Sequence, residues 1–260
     1  MSKSFRATVT AHRDINTGFR LLTLQPTHQV GVPAPGQFYM LQAGATHDPL
    51  LKRPFSYFRA EDGSLSFLYR IRGKGTLAIA SLRDGETLSL IGPLGNSYSM
   101  PSGEFIAVAG GIGIASLFSL LGAAEKRAAL FWGGRTANEL LMTEAVQALV
   151  RSAVITTDDG TAGRKSLITE PLKDYLALNA HLPVYACGSS SMMQAVANTC
   201  SEAGARCFVS LEAYMACGVG ACLGCVVKIM DADYPEGKYR SVCKDGPVFD
   251  ASTVVWESQR

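Results

Sequence analysis

Cys217, Cys222, Cys225 and Cys243 follow the spacing C-x4-C-x2-C, then seventeen residues, then C. No other feature constrains the fold of this chain as tightly, because one short loop and one later segment must deliver four thiols to a common centre. Three thiolates from one loop and a fourth from further on is the plant-type [2Fe–2S] pattern. Gly218, Gly220 and Gly224 lie between the thiols, where glycine allows the backbone to curl around a bulky core and leaves N–H groups to aim at sulfur. Structural zinc is the alternative, although its cysteines usually come as two short pairs. A disulfide framework fits poorly. Seven cysteines is an odd count, and the opening Met-Ser-Lys-Ser-Phe-Arg has no apolar signal-peptide core. A [2Fe–2S] centre moves single electrons and bonds to no substrate, so the chain is expected to be a conduit between redox partners.

Length and composition place that loop in a larger protein. The 260 residues suffice for two domains and an appendage. With 47% hydrophobic and 18% charged residues the composition is that of a well-packed globular protein. No apolar run reaches the roughly 18 residues that span a bilayer. The net charge of +2 and the lack of basic clusters argue against nucleic acid. The chain therefore reads as cytoplasmic and independent of membranes.

The first hundred residues read as strands. Phe5–Thr10, Phe19–Leu24, Gln37–Gln42, Leu65–Arg70 and Thr87–Ile91 are β-rich runs separated by turns at 33–36, 61–63 and 83–85. That rhythm predicts a small antiparallel barrel, with a short helix over Gly75–Leu82. Two patches carry chemistry. Arg53-Pro54-Phe55-Ser56 sets an arginine where it can fork onto a phosphate. Tyr69-Arg70 leads to Gly73-Lys74-Gly75-Thr76, a turn that presents N–H groups and a hydroxyl at a helix start.

After Pro101 the pattern becomes α/β. Strands are expected at Phe105–Ala109, Ala128–Trp132, Ser152–Thr156, Pro183–Ala186 and Arg206–Leu211, and helices at Ile114–Ala124, Asn138–Leu149 and Ser190–Ala203. Such alternation predicts a doubly wound parallel sheet that binds ligands beyond the carboxyl ends of its strands. Gly111-x-Gly113-x-x-Ser116 is an incomplete dinucleotide motif, yet it stands between a strand and a helix. Gly134-Arg135, Asp158-Asp159-Gly160 and Cys187-Gly188 fall on the same edge. Arg135 has no acidic neighbour in the immediate sequence, so the residues leave NAD and NADP both open. Cys200 and Cys207 read as inert interior residues. His12, His28, His47 and His181 form no cluster, and no catalytic side chain is assigned.

Taken together, Arg53–Ser56, Tyr69-Arg70 with Gly73–Thr76, Gly92-Pro-Leu-Gly-Asn96, Gly110-Gly-Ile-Gly113 and the cysteine run with Asp245-Gly-Pro-Val-Phe249 resemble one family over nearly the whole chain. It is the electron-transfer subunit family of two-component, NAD-dependent dihydroorotate dehydrogenases, in the ferredoxin-reductase-like superfamily. The resemblance implies an FAD-binding β-barrel over 1–100, an NAD-binding α/β domain over 101–210 and a [2Fe–2S] segment over 211–260. It assigns FAD to Arg53, Pro54, Phe55, Ser56, Leu68, Tyr69, Arg70, Gly75 and Thr76, with Ser56 near the flavin N5. Nucleotide falls to Gly111, Gly113, Cys187 and Gly188, and the cluster to Cys217, Cys222, Cys225 and Cys243. Phe55 replaces the tyrosine of many wider relatives, which makes Tyr57 a substitute for covering the ring, and Ser189 stands where they carry proline.

The resemblance also implies a mechanism. FAD takes a hydride pair from NADH and releases it singly to the cluster, which exchanges electrons with the FMN of a separate dihydroorotate-oxidising subunit. A heterotetramer of two plus two chains follows from the same likeness. The uncharged stretch Met215–Cys225, with Met215, Val219 and Leu223 beside the thiols, is expected at the subunit interface. A related subunit serving NAD(P)H and ferredoxin, or a sulfide-dehydrogenase-type partner, is the alternative. Four cysteine ligands favour the dihydroorotate system.

Overall fold

The computed structural model describes residues 3–43 and 48–256; His47 lies outside them. Strands β1 (Lys3–Asn16), β2 (Phe19–Pro26), β3 (Phe38–Ala43), β4 (Arg53–Ser56), β5 (Arg59–Glu61), β6 (Ser64–Arg70) and β7 (Thr87–Leu94) form an antiparallel sheet. Its order is β4-β3-β7-β1-β2-β6-β5. The two edge strands are separated in sequence only by Tyr57 and Phe58, so the sheet must curl until its edges meet. Tyr57 N–H donates to the Gln37 carbonyl (3.4 Å) beside β3 and Phe58 N–H to the Ser66 carbonyl (2.8 Å) of β6, so the crossing segment is bonded on both sides. This closes the expected barrel around Phe5, Val9, Leu22, Tyr39, Leu41 and Phe67. Helix α1 (Lys74–Ala80) inserts Ile79 into that core.

The second sheet contains β8 (Phe105–Gly110), β9 (Ala128–Gly134), β10 (Ser152–Thr157), β11 (Arg164–Lys165), β12 (Val184–Cys187), β13 (Cys207–Ser210) and β16 (Val248–Asp250). The order is β11-β10-β9-β8-β12-β13-β16, parallel except for the last pair. Helices α2 (Ile114–Ala123) and α5 (Ser190–Ala203) agree with the sequence expectation. The helix expected over Asn138–Leu149 is mostly absent. A 3-10 turn at Ala137–Glu139, capped by the Thr136 hydroxyl, gives way to Leu140 in an extended conformation, and Met142 is left-handed (φ 55). Only Thr143–Gln147 is helical, as α3. Burial of Leu140 and Leu141 accounts for the break: both anchor in the core and pull the chain off the helical path. The sequence reading assigns no element between Thr161 and Pro183, yet α4 (Thr169–Asn179) lies there. Its apolar stripe is narrow, with Leu172 and Leu176 the buried pair, which makes the helical period hard to detect.

Barrel and sheet share a packed boundary. Phe58, on the crossing segment, stacks on Phe118 of α2 with centroids 3.8 Å apart. The C-terminal segment is no loose appendage. After the hairpin β14 (Val226–Asp231) and β15 (Tyr234–Ser241), β16 returns to edge the parallel sheet. Cys225, Ile229, Val242, Cys243 and Val254 belong to the same core as Met40, Leu94 and Ile106. Among the described residues no helix is long and apolar enough to cross a membrane.

Candidate functional site

The cysteine loop has little regular structure and is held by what it touches. Gly218, at φ 73, packs so closely on β3 that a Cβ there would come within 2.5 Å of Met40 Cγ. The segment after the fourth thiol is held by Asn96, at the end of the Gly92–Asn96 motif. Asn96 Nδ2 donates to the carbonyls of Asp245 (3.0 Å) and Val248 (2.8 Å), and its Oδ1 accepts from Val248 N–H (2.9 Å). Two sequence motifs 149 residues apart are therefore one structural clamp, which brings Cys243 up to the loop.

The thiols act on one another: Cys222 helps to lower the Cys217 thiol, and Cys225 and Cys217 help to raise that of Cys243. Backbone N–H groups aim at sulfur as expected, Val219 at Cys217 Sγ (3.4 Å) and Gly220 at Cys243 Sγ (3.1 Å). The Val219 N–H is the main reason that the Cys217 thiol is lowered to about 6. Cys243 is buried, and that burial pushes its thiol up to about 12, helped by Cys225. One thiolate is thus prepared, while its neighbour resists ionising without a cation. Iron supplies that missing charge, since a coordinating thiol is deprotonated outright. Four thiols from one loop and one returning segment, with backbone N–H groups on Cys217 and Cys243, fit a binuclear cluster. A cavity of about 330 Å³, lined by Gln37, Pro93, Leu94, Gly218 and Cys243 among others, lies where the loop meets the barrel.

On the barrel, Arg53 lies along Gly75, and a Cβ at Gly75 would come 2.5 Å from Arg53 Nε. Its Nη1 donates to the Leu51 carbonyl (2.6 Å), and among the described residues no carboxylate pairs with it. A guanidinium with only neutral partners, beside a glycine, fits a flavin-nucleotide phosphate. Thr76 closes the neighbouring turn by accepting from Arg72 N–H (2.8 Å) and Gly73 N–H (3.0 Å). Ser56 and Pro54 are half-buried at this strand.

Three of the expected flavin residues instead have core side chains. Phe55 packs edge-on against Tyr69 at 5.4 Å inside the barrel. The Tyr69 hydroxyl is 2.9 Å from His12 Nε2. Leu68 is buried with Phe19, Leu21 and Phe58. Tyr57, the proposed substitute for Phe55, is also buried, and its hydroxyl donates to the Pro33 carbonyl (2.9 Å). Leu68 and Tyr69 are buried in two different cores, Leu68 at the boundary with the parallel sheet and Tyr69 inside the barrel, while Arg70 is exposed.

The nucleotide edge is built from backbone. β8 and β12 are neighbours, so the Gly110–Gly113 and Cys187-Gly188 loops meet directly. A Cβ on Gly113 would overlap the Cys187 carbonyl, and one on Gly188 would come 3.0 Å from Gly110 Cα. These two glycines answer first to loop-on-loop packing. Gly111, at φ 50, is different: its surroundings are side chains, with Glu139 at 3.4 Å. Cys187 is buried in a hydroxyl network. Tyr98 OH lies 3.1 Å from Ser116 Oγ, which donates to Ser210 Oγ (3.3 Å). Burial, then the charge of Glu212, push the Cys187 thiol up to about 12.

Sequence reasoning missed Glu212 and Glu139. Glu212 keeps solvent access, yet the protein crowded around its carboxyl raises it, against the charge of Arg72. Glu139 overturns the expectation that Arg135 has no acidic neighbour. Arg135 Nε donates to Glu139 Oε1 (2.9 Å), Arg135 N–H to Oε2 (3.1 Å), and Arg70 Nη1 stands 3.7 Å away. The four-residue spacing of Arg135 and Glu139 was the available signal. These side chains line a cavity of about 490 Å³ with Thr17, Gly18, Phe19 and Asn138, between barrel and sheet.

Comparison with known proteins agrees with this assembly. Residues 212–255 match the iron-sulfur cluster binding domain of dihydroorotate dehydrogenase B, and residues 107–198 match an oxidoreductase NAD-binding domain. The dihydroorotate dehydrogenase B (NAD(+)) electron transfer subunit of Desulforamulus reducens is 34% identical over 99% of this chain and 100% of its own length. Its counterpart in Caldanaerobacter subterraneus subsp. tengcongensis is 37% identical over 86% of this chain and 88% of its own. Among solved structures, the NADH-dependent reduced ferredoxin-NADP oxidoreductase superposes with a TM-score of 0.83 at 25% identity, covering 96% of this chain and 90% of that one. The ferredoxin reductase of carbazole 1,9a-dioxygenase shares the fold (TM-score 0.69, 20% identity, 78% of this chain and 67% of that one). Full-length identity with curated relatives settles the family: this chain belongs to the electron-transfer subunits of NAD-dependent dihydroorotate dehydrogenase B, which are oxidoreductase components.

Proposed function

We propose that this chain relays electrons between NAD(H) at the parallel-sheet edge and the FMN of a dihydroorotate-oxidising catalytic subunit, by way of FAD on the barrel and a [2Fe–2S] cluster. The observation that carries this reading is the packing of the cysteine loop on the barrel at Gly218 and Met40, with Asn96, just past the barrel's last strand, tying down the segment that follows Cys243. When bound, FAD accepts two electrons as hydride and gives them up one at a time, which a single-electron cluster requires.

The chain's own residues supply placement. Arg53, Gly75 and Thr76 are suited to the flavin pyrophosphate, with Ser56 toward the ring. Pro54, Phe55, Leu68 and Tyr69 shape the barrel wall behind it. Gly111 opens the nucleotide loop, and Gly113, Cys187 and Gly188 keep two loops in register. Cys217 and Cys222 would hold one iron, and Cys225 and Cys243 the other. Division at 1–100, 101–210 and 211–260 follows these roles, although β16 of the last segment completes the middle sheet.

The partner surface is proposed around Val219 and Leu223, which are 47% and 64% exposed beside the thiols. Met215, by contrast, is half-buried against the core. A two-plus-two assembly in the cytoplasm suits a pyrimidine-biosynthesis enzyme. Leu223→Asp tests the surface. Co-purification with the FMN subunit and dihydroorotate-dependent NAD+ reduction are expected to fall together, with iron content and NADH-to-flavin reduction intact. Full co-purification would place the interface elsewhere. Likeness to the ferredoxin-NADP oxidoreductase supports a second reading, a ferredoxin-coupled subunit; ferredoxin replacing the FMN subunit in that assay would favour it.

A further inference from the structure

The two proposed cofactor sites stand on different halves of the molecule, and hydride passes between them only when both are held in one geometry. Ser56 ends β4 on the barrel, and the Gly111–Gly113 turn opens α2 on the parallel sheet. Phe58 follows Ser56 by two residues, at most about 7 Å of chain. Phe118 follows Gly113 by five, about 7.5 Å along a helix. These two rings meet across the boundary.

Their centroids are 3.8 Å apart, with the ring planes 26° from parallel. Free aromatic pairs prefer offset or edge-on contact at about 4.5–7 Å, and carbon–carbon contact alone takes about 3.5–4.0 Å. The rings therefore lie almost face over face, an arrangement imposed by the two halves rather than sought by the rings. Both are buried. The Arg59 guanidinium carbon is 5.9 Å from the Phe58 centroid and 5.4 Å from that of Phe118, so it flanks the pair instead of capping one ring. Arg59 Nη1 is held in turn by Glu61 Oε2 (3.3 Å).

Each ring is fixed to its own half. Phe58 N–H donates to the Ser66 carbonyl (2.8 Å), and the hydroxyl of neighbouring Tyr57 to the Pro33 carbonyl (2.9 Å). On the other side Gly113 packs on the Cys187 carbonyl, and Ser116 Oγ lies 3.1 Å from the Tyr98 hydroxyl. By contrast, the links through Asn138 to Asn16 and Thr17 are exposed hydrogen bonds.

We propose that Phe58 and Phe118 are positioning residues for hydride transfer: their stack sets the spacing between the flavin strand and the nucleotide loop. Face-to-face contact resists compression, and Arg59 blocks sideways slip. Both levers are short, so a shift at the stack passes almost undiminished to Ser56 and Gly113. Misplacing reacting groups by about 1 Å costs about a hundredfold in rate. Leucine at either position keeps the boundary apolar but removes the flat face.

The inference rests on the flavin and nucleotide sites proposed above, and the wild-type chain separates the two. A flavin-loaded wild type that NADH does not reduce would remove those sites and this inference together. Anaerobic stopped-flow reduction of Phe118→Leu by NADH resolves the limiting rate from affinity. That rate should fall about tenfold or more, with the NADH dissociation constant within about twofold of wild type and flavin and iron contents unchanged. The long-wavelength charge-transfer absorbance of the nicotinamide–flavin complex should weaken in parallel, and hydrogen exchange should quicken over 56–59 and 114–121. Phe58→Leu should match it, and the double variant should lose little more, because the same contact is removed each time. An unchanged limiting rate, a loss carried wholly by weaker NADH binding, or additive losses in the double variant would overturn the inference. Should neither leucine variant fold, Arg59→Ala at the rim of the stack decides. A limiting rate lowered about threefold at unchanged affinity upholds the proposal, and a wild-type rate contradicts it.

Discussion

The cysteine loop and the nucleotide edge are both sites made of loops, yet they encode their chemistry in opposite ways. At the cysteine loop the ligands are side chains of one type, three of them within nine residues. Their spacing carries the chemistry, and the fold has only to bring Cys243 to them. At the nucleotide edge the ligand-facing groups are mostly backbone, gathered from the ends of β8, β9, β10 and β12. The chain there packs mainly on itself: the Gly113 backbone lies against the Cys187 carbonyl, and the Arg135 side chain pairs with Glu139. A site made of ligands survives as a sequence pattern. A site made of packing does not.

Three substitutions sharpen that contrast. The largest effect is expected from Cys222→Ser, since serine is a poorer iron ligand than thiolate. Cluster absorbance and iron content should drop to a small fraction of wild type, and transfer to the partner's FMN should collapse. NADH-driven flavin reduction should persist, because the nucleotide edge shares no residue with the loop. Loss of both activities in a folded, flavin-loaded variant would break the separation.

Gly113→Ala is the matching test at the other site. Overlap of the new Cβ with the Cys187 carbonyl is backbone against backbone and has no flexible side chain to absorb it. Overpacking of this kind costs about 1–3 kcal/mol, read by denaturant unfolding. Nucleotide affinity should fall while iron content stays normal. A variant of wild-type stability would show that the two loops are not in register as described.

The smallest effect is a pH dependence at Glu139. Burial raises its carboxyl, but hydrogen bonds from the Arg135 side chain and N–H, with the charges of Arg135 and Arg70, outweigh burial and hold it below the ordinary 4.5. A carboxyl depressed in the folded state stabilises fully above its unfolded value and loses that contribution as pH falls through the folded one. Any melting-temperature gap between wild type and Glu139→Gln should therefore be constant near neutrality and close only below about pH 4.5. A gap that closes between pH 6 and 8 would point to another group.

Much of the fold was legible for the same reason as the cysteine loop: strong local patterns. The barrel strands alternate, β8 is a short apolar run, and α5 has clear boundaries at Ser190 and Ala203. Tertiary demands erased the rest. Leu140 and Leu141 break a helical period by anchoring in the core, and α4 shows too narrow an apolar stripe to announce itself. Within the candidate site, Phe55 and Tyr69 are flavin contacts only by resemblance to the family's motifs. Strand alternation turned both rings into the barrel. The Asn96 clamp was present as two motifs, but nothing in sequence says that residues 96 and 245–248 touch.

The central claim is that one chain joins a nucleotide site, a flavin site and a binuclear iron site in that order. Anaerobic addition of NADH to the purified chain, followed by optical and EPR spectroscopy with iron and zinc analysis, tests it most directly. The account predicts two irons per chain, bleaching of an FAD spectrum and the EPR signal of one reduced [2Fe–2S] centre. Zinc in place of iron, or a bleached flavin with no EPR signal, would contradict it.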